Sequence, residues 1–321
     1  PRSRLWHRLL WDFQAGAGGV RMRRWKSALL LTVVSAAAAV AVTPGLGQAA
    51  GSGPPQIPDF SGIWWHPSLP GMEPLASGPT SLRNRARRGG VSDYSRLVGD
   101  HTNPILQPWA ADVVKKKGEL SIAGVVYPTP ATQCWPEPAT FIYKNFGLRI
   151  LQQPHQVTLL YEQDHEVRRV RMNQEHPERV KPSWYGDSIG YYEGDTLVVD
   201  TVGINPDRPH AMLDLYGTPY TKDLHLVERF RLIDYEEAKE ALARDAKENV
   251  RIPFSPADRN YRGKHLQVRF TVEDKGAFTT PWSATITYAL GSRIWPETVC
   301  AENTLGFGET AEVPTAAKPD F

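Results

Sequence analysis

The chain has 321 residues, of which 41% are hydrophobic and 22% are charged, with 37 basic and 35 acidic residues. Seven of the basic residues and one of the acidic residues precede Ala49, which leaves 30 basic and 34 acidic residues in the remainder. The remainder is mildly acidic and lacks the concentrated basic face that nucleic-acid binding requires, so we expect no nucleic-acid partner.

The N-terminal region has the three parts of a secretory signal peptide. A basic segment at 21–26 precedes an apolar segment at 28–42, and small residues follow as far as Ala50. The apolar segment falls short of the roughly twenty residues that span a bilayer, which favours a cleaved leader at 21–50 over a membrane anchor. We interpret residues 1–20 as an over-extended start. The leader predicts a periplasmic or secreted bacterial protein with no stable membrane span after cleavage, by a Sec or a Tat route.

Composition divides the rest of the chain. Proline-rich residues 51–58 are typical of a linker, and residues 59–321 are predicted to form a single β-rich domain. Within it, residues 66–104 carry many Gly, Pro, Ser and Arg residues without a period, which predicts an irregular excursion. A short helix is predicted over Ala110–Lys117, and Gly118 is expected to end it.

From residue 141 onward, runs of alternating apolar and polar residues predict β-strands. These strands are Phe146–Gln153, His155–Gln163, Val167–Met172, Leu224–Leu232, Leu266–Glu273 and Ser283–Leu290. Residues 186–201 predict two further strands joined at Gly194-Asp195, because Gly and Asp tolerate the positive φ angles of a two-residue hairpin turn.

One helix, Tyr235–Asn249, interrupts the strands and has few apolar residues, so it is predicted to lie on the surface. Many antiparallel strands with one peripheral helix favour a closed sheet, because closure removes exposed strand edges. Gly62-Ile63-Trp64 also resembles the Gly-x-Trp start of lipocalin-type barrels. We therefore predict a mainly β fold, an antiparallel lipocalin-like barrel, with a β-sandwich as the alternative.

The segment Gly186–Thr201 resembles a signature of a broad family of exported bacterial proteins, in which Trp is usual where this chain has Tyr192. Other segments that resemble the family are Asp59–Trp64, Cys134–Pro136, Glu162, His176-Pro177, Leu224–Phe230, Pro281-Trp282 and Cys300–Asn303. The resemblance implies export and covers nearly the whole chain after the leader. It implies no settled activity.

The two cysteines, Cys134 and Cys300, are predicted to form a disulfide, since an even pair in an oxidising compartment is typical of one. Two buried free thiols are the alternative. Neither cysteine has a second Cys or a His at ligand spacing, and the nine His residues are dispersed, so no metal site is predicted. Phosphate-binding and dinucleotide-binding motifs are also absent, so no cofactor is predicted.

Glu228 is the most informative titratable residue. On the strand Leu224–Leu232, its face is otherwise apolar, whereas His225 and Arg229 share the opposite face. A carboxylate that faces the core has to be paired or neutral. If Glu228 lines a cavity, desolvation raises its pKa toward use as a general acid. The alternative is a structural ion pair with Arg149, Arg169 or Arg269.

His176 is the second candidate for acid-base chemistry, since it lies in a loop before Trp184 where a ring nitrogen could move a proton or bind a polar group. A local hydrogen bond is its alternative role. Gly186-Asp187-Ser188-Ile189-Gly190 has the form of a nucleophile elbow, but an elbow needs a strand-to-helix turn. Ser188 stands before a predicted hairpin and is not expected to be a nucleophile.

Aromatic side chains would suit a cavity for an apolar or ring-bearing ligand, although core packing explains them as well. The predicted ligand-binding residues are Trp64, Tyr143, Trp184, Tyr185, Tyr192 and Arg229. The leading hypothesis is an exported protein that binds a small hydrophobic or aromatic molecule in a β-barrel. The alternative is an exported hydrolase, lyase or isomerase that uses Glu228 and His176 in the same cavity, and a third possibility is a structural envelope protein.

Overall fold

The computed structural model describes residues 57–66, 68–69, 72–144, 147–163, 166–251, 257–258 and 260–291, together with Trp295 and Cys300. The chain divides into two units, residues 1–51 and residues 52–321. Every described residue belongs to the second unit. The predicted leader, the residues before it and most of the predicted linker therefore lie outside the described residues. Phe146, where a strand is predicted to begin, lies outside them as well.

The described residues form short and long strands and two α-helices. In chain order these are β1 (Ile63–Trp65), β2 (Ser68–Leu69), β3 (Glu73–Pro74), β4 (Arg87–Arg88), β5 (Val91–Ser92), α1 (Pro108–Ile122), β6 (Gly147–Gln152), β7 (Gln156–Tyr161), β8 (Val167–Met172), β9 (Asp187–Glu193), β10 (Thr196–Val202), β11 (His225–Ile233), α2 (Tyr235–Glu248), β12 (Val250–Arg251), β13 (His265–Glu273) and β14 (Trp282–Leu290). Two short 3₁₀ turns, Ala131–Gln133 and Phe141–Lys144, precede β6.

Nine of the strands close into a barrel in the order β1-β6-β7-β8-β9-β10-β11-β13-β14, and β14 pairs back onto β1. The closing contact is made by Trp64, which pairs with Leu290 of β14 on one side and with Leu148 of β6 on the other. The predicted barrel with a peripheral helix is thereby confirmed, in preference to a β-sandwich. Closure removes the free edges that an open sheet of this size would expose.

The barrel is mixed rather than wholly antiparallel, because β8 and β9 run parallel. The chain returns to the starting end of β8 through residues 173–186 before it enters β9. A parallel pair requires a connection of roughly a dozen residues or more, and this stretch is long enough to supply it. The next connection is the predicted tight hairpin: Gly194, with φ of 60°, lies in the turn between Glu193 and Thr196.

Both helices depart slightly from their predicted bounds. The first is longer than Ala110–Lys117, and Gly118 lies inside it rather than at its end. Gly118 is buried, and a Cβ there would lie 3.1 Å from a methyl group of Val98, so the glycine permits close packing on a neighbouring segment. The described part of residues 66–104 contains four two-residue strands, β2 to β5, which are separated by irregular segments.

The barrel has two distinct ends. At the hairpin end, where the β9–β10 turn lies, the indole Nε1 of Trp64 donates to the carbonyl of Phe60 at 2.8 Å. The Phe60 amide in turn donates to Gln152 at 2.7 Å. At the opposite end, which we call the loop end, residues 131–144 lead into β6 and residues 203–224 connect β10 to β11. Trp64 is 3% exposed and is therefore held in the core by a hydrogen bond to the segment that precedes β1.

The outer surface of β14 is covered by β3 and α2, and a buried carboxylate lies beneath them. Glu73 is 2% exposed, and its carboxylate accepts hydrogen bonds from the Thr287 amide at 2.9 Å and from the hydroxyls of Thr285 and Thr287 at 3.0 and 3.1 Å. Burial, reinforced by the charge of Asp245, raises the pKa of Glu73 to about 7.

Glu73→Gln is expected to stabilise the protein strongly at pH 8 and by only about 1 kcal/mol at pH 5. The folded protein holds a proton on Glu73 up to about pH 7, whereas an unfolded Glu loses it near pH 4.3. Stability contributed by the protonated form is therefore lost as the pH rises from the unfolded pKa to the folded one. Urea unfolding should show a gain of about 2–4 kcal/mol for the variant at pH 8.

Glutamine retains an acceptor for the Thr287 amide and offers an NH₂ group to the two hydroxyls, so the hydrogen bonds can be kept. Glu237→Gln is a suitable control, since it makes the same chemical change on the exposed side of α2. The same difference between Glu73→Gln and the wild type at both pH values would contradict the raised pKa.

Candidate functional site

The barrel interior contains a buried ion pair between Arg168 of β8 and Glu228 of β11. Arg168 Nη1 donates to Glu228 Oε1 at 2.9 Å, and Nη2 donates to Oε2 at 2.7 Å. The side chains are 1% and 0% exposed, respectively. The alternation on Leu224–Leu232 correctly predicts that Glu228 faces the core. The partner differs from the three arginines considered, because Arg168 is the arginine that faces inward.

Further hydrogen bonds extend this pair around the barrel wall. Arg168 Nη1 also lies 3.4 Å from the Tyr161 hydroxyl, and Nη2 lies 3.3 Å from Thr201 Oγ1. Thr201 is in turn bonded to Ser188 at 2.9 Å. Ser188 lies inside β9, which leads into a hairpin and not into a helix, so its setting is not that of a nucleophile elbow.

Burial and the contact with Arg168 act in opposite directions on the ionisation of Glu228. Removal of Glu228 from water favours the neutral acid and raises the pKa of this carboxyl well above its usual range. The bidentate contact with Arg168 acts in the opposite direction, because a guanidinium favours the carboxylate. The carboxyl of Glu228 is thus the kind of group that acid-base catalysis uses, but both of its oxygens are already engaged by one partner.

Among the described residues, the hydroxyls of Tyr143 and Tyr288 and the Nε of Arg168 are buried polar atoms with no hydrogen-bond partner. Tyr288 is on the inner face of β14, where its ring centroid lies 5.1 Å from that of His66. The ring of Tyr143 enters from the loop end and lies 5.1 Å from the inward-facing Phe270. Burial raises the pKa of Tyr288, and the nearby charges of Tyr161 and Glu228 raise it further.

His176 lies on the outer surface of the barrel. Its Nδ1 is 2.7 Å from Asp187 Oδ2, and its Nε2 is 3.1 Å from Asp200 Oδ1. Asp200 is adjacent to Val199, which pairs with Glu228, so Asp200 points to the opposite face of the wall. The structure therefore does not bring His176 and Glu228 into one cavity, and the predicted combination of the two is not present.

The outer surface has its own charged network around Asp200. His225 Nε2 contacts the same Asp200 oxygen at 3.0 Å, and Arg171 contacts Asp187 at 2.7 Å. Hydrogen bonds from the two histidines lower the pKa of Asp200 against the effect of burial, and Asp200 raises the pKa of His225. Because its ring nitrogens contact Asp187 and Asp200, His176 attaches the 173–186 connection to the barrel wall.

Two of the predicted ligand-binding residues have structural partners at the hairpin end. The Tyr192 hydroxyl accepts a hydrogen bond from Gln152 at 3.0 Å. Arg229 points outward, as predicted from the alternation of its strand, and forms an exposed ion pair with Glu193. Of the predicted residues, Tyr143 is the one whose polar atom lies unpaired in the barrel interior.

Trp184 and Tyr185 lie at the loop end, away from the hairpin. Trp184 is 39% exposed, and its ring centroid lies 6.2 Å from that of Trp135 and 4.7 Å from the guanidinium carbon of Arg208. The Tyr185 hydroxyl bonds to Glu166, and burial together with the charge of Glu166 raises its pKa. These two residues belong to a second cluster that is separate from the Arg168–Glu228 pair.

Several site residues were not predicted, and one of them had a signal in the sequence. Arg168 shares its strand face with Val170 and Met172, which is the same pattern that identifies Glu228. Tyr161 and Tyr288 also lie on inward faces, but nothing local distinguishes them from ordinary core aromatics. Arg208 lies in an irregular connection, where no periodicity indicates its burial.

Comparison of the chain with protein-family models, with curated proteins and with solved structures gives no match in any of the three. Among the described residues, no group of three or more His, Cys, Asp or Glu side chains is arranged to hold a metal ion. Within the same residues, neither helix has the length and apolar character that a membrane crossing requires.

Proposed function

We propose that this chain is an exported binding protein that holds a small, ring-bearing molecule inside its barrel. The observation that carries the proposal is the set of unpaired polar atoms in the interior, on Tyr143, Tyr288 and Arg168. Buried polar groups in folded proteins nearly always have partners, and each missing hydrogen bond costs about 1–3 kcal/mol. A ligand with acceptor oxygens would remove this cost.

The surroundings of these atoms favour a neutral aromatic or alicyclic ligand. Phe230, Phe270 and Tyr161 are each at most 1% exposed and belong to the hydrophobic core that also contains Tyr143 and Tyr288. Arg168 is already neutralised by Glu228, so a second buried charge on the ligand would have no counterion. A ring that carries a carbonyl or hydroxyl group therefore fits better than a carboxylate.

Export is supported by the disulfide between Cys134 and Cys300, which confirms the predicted pairing. Disulfides persist mainly in oxidising compartments. The leader expected at 21–50 and the resemblance of residues 186–201 to a family of exported proteins are consistent with this location. We accordingly propose a location in the periplasm or outside the cell.

An enzyme that uses Glu228 as a general acid is the second candidate, favoured by the raised pKa of this carboxyl. Proton transfer would require Glu228 to break its bidentate contact with Arg168, since both of its carboxylate oxygens accept hydrogen bonds from the guanidinium. His176 has no part in such a mechanism from its position on the outer wall. Binding without reaction is therefore the better-supported function.

Tyr288→Phe is expected to change stability and binding in opposite directions. In the empty protein the substitution removes an unpaired buried hydroxyl, so the free energy of unfolding should rise by about 1–3 kcal/mol. With a ligand bound, it removes a hydrogen-bond donor, and affinity should fall about 2- to 13-fold. Urea unfolding and thermal-shift titration with neutral aromatic ketones and alcohols measure the two effects.

Tyr191→Phe is the control, because Tyr191 is 41% exposed on the outer face of the same barrel. It should change neither quantity appreciably. If no compound stabilises the wild type and Tyr288→Phe destabilises it, the hydroxyl has only a structural role and the binding function is refuted. If a compound binds Tyr288→Phe and the wild type with the same affinity, the ligand binds elsewhere.

A further inference from the structure

We propose a second binding site, for a neutral carbohydrate, at the loop end of the barrel. The site is the cluster of Trp135, Trp184, His210 and Arg208, which we call the rim cluster. It is formed by residues of the 131–144 segment, the 173–186 connection and the 203–224 connection. It is independent of the barrel interior, so its ligand and the interior ligand can be tested separately.

Flat aromatic faces form the main surface of the rim cluster. The rings of Trp135 and His210 stack with centroids 5.7 Å apart and an interplanar angle of 29°. Trp184 lies beside them at 6.2 Å from Trp135, and 39% of its surface is exposed. An indole face carries a negative quadrupole, which attracts the weakly positive C–H bonds on the flat side of a sugar ring.

Arg208 gives the cluster a polar group whose hydrogen bonds are not all supplied by the part of the chain that the structure describes. Its Nε donates to the Tyr220 hydroxyl at 3.2 Å, and its Nη1 donates to the Pro136 carbonyl at 2.9 Å. Its Nη2 is buried and has no partner among the described residues, and the residue as a whole is 7% exposed. Two fixed donors hold the guanidinium against the Trp184 ring, and the third is left to donate to a ligand hydroxyl.

Charge around Arg208 favours a neutral ligand over an anion. Glu166 and Glu137 are buried beside Tyr185, and their charges and that of Arg208 all affect the pKa of the Tyr185 hydroxyl. These carboxylates would repel an anionic ligand. A sugar hydroxyl can accept from Arg208 without adding charge, and the sugar ring can stack on Trp184.

The backbone fixes the aromatic rings in place. Trp135 follows Cys134 directly, and the disulfide to Cys300 anchors that position. Cys134 and His210 both have positive φ, at 53° and 57°, which is uncommon for residues other than glycine. A preorganised aromatic surface loses little conformational entropy when it binds a rigid ring.

The test is a titration of the full mature protein with neutral hexasaccharides of glucose, xylose and N-acetylglucosamine, followed by tryptophan fluorescence and calorimetry. We expect at least one hexasaccharide to bind the wild type and to bind Trp184→Ala at least tenfold more weakly. The matched control is Trp109→Ala, since Trp109 is 45% exposed but lies on α1. That variant should bind like the wild type.

Arg208→Lys tests the hydrogen bond separately from stacking, because lysine keeps the charge and loses the planar fork. Binding by this variant should be several-fold weaker, with its folding checked by its urea midpoint. The proposal is overturned if no hexasaccharide binds the wild type, or if Trp109→Ala weakens binding as much as Trp184→Ala. Loss of vesicle binding in Trp184→Ala, without any sugar binding by the wild type, would identify a membrane contact instead.

Tyr288→Phe should leave hexasaccharide binding unchanged, since Tyr288 lies inside the barrel. A failure of the interior proposal therefore does not remove the rim proposal, and the reverse also holds. Weaker hexasaccharide binding in Tyr288→Phe would show that the sugar occupies the interior and would overturn the rim site.

Discussion

Glu228→Gln is expected to lower the free energy of unfolding by about 3–5 kcal/mol at pH 7, because it leaves the Arg168 guanidinium buried without a counterion. The substitution keeps the size of the side chain and removes its ability to carry a charge. Arg168 is 1% exposed, so solvent cannot replace the lost partner. Urea unfolding followed by tryptophan fluorescence and circular dichroism measures the change.

The matched control is Glu193→Gln, which makes the same chemical change in an ion pair with Arg229 on the outer face. Both partners there are more than 40% exposed, and the expected loss is below about 1 kcal/mol. Replacing Arg168 and Glu228 together by Met should recover most of the loss, since apolar side chains of similar volume need no counterion. Equal, small effects of Glu228→Gln and Glu193→Gln would contradict a buried charged pair.

Removal of the disulfide is expected to have an effect of similar size. Cys134 and Cys300 are 166 residues apart in the chain. Cross-linking over such a loop restricts the unfolded chain and stabilises the folded state by about 5 kcal/mol in the chain-entropy model. The double substitution Cys134→Ser and Cys300→Ser should therefore lower the urea midpoint strongly, and reduction of the wild type should lower it by the same amount.

Reductant supplies the internal control for this experiment, because it should leave the unfolding of the double Ser variant unchanged. An identical midpoint for the oxidised wild type and the double variant would mean that the bridge adds no stability. The barrel strands themselves do not include either cysteine. We therefore expect the destabilised variant to retain its β-sheet circular dichroism spectrum at low temperature.

Local patterns predicted much of the barrel wall. The inward orientation of Glu228 follows from strict alternation on its strand, since successive side chains of a strand point to opposite faces. The hairpin at Gly194-Asp195 follows from turn chemistry, because few residues accept its backbone angles. Such features depend on residues that are close together in the chain, so they can be predicted from the local sequence.

The composition of the sites was predicted less well. Tyr143 was expected to contact a ligand and has its unpaired hydroxyl inside the barrel, and Trp184 lies in the rim cluster. Arg208 and His210 were missed, because they come from a connection with no periodicity. Two of the three residues that hold Arg208 in position, Pro136 and Trp184, come from other segments of the chain.

By itself, the sequence predicted most of the long strands of the barrel wall, which face of these strands is apolar, and that a charged group would face the core. Only the tertiary structure decided that Arg168 is the partner of Glu228, that β8 and β9 run parallel, and that His176 lies on the outer wall. The physical reason is that alternation specifies a face but not a neighbour. Neighbours depend on how strands far apart in the chain are aligned when the barrel closes, and that alignment is set by packing over the whole interior.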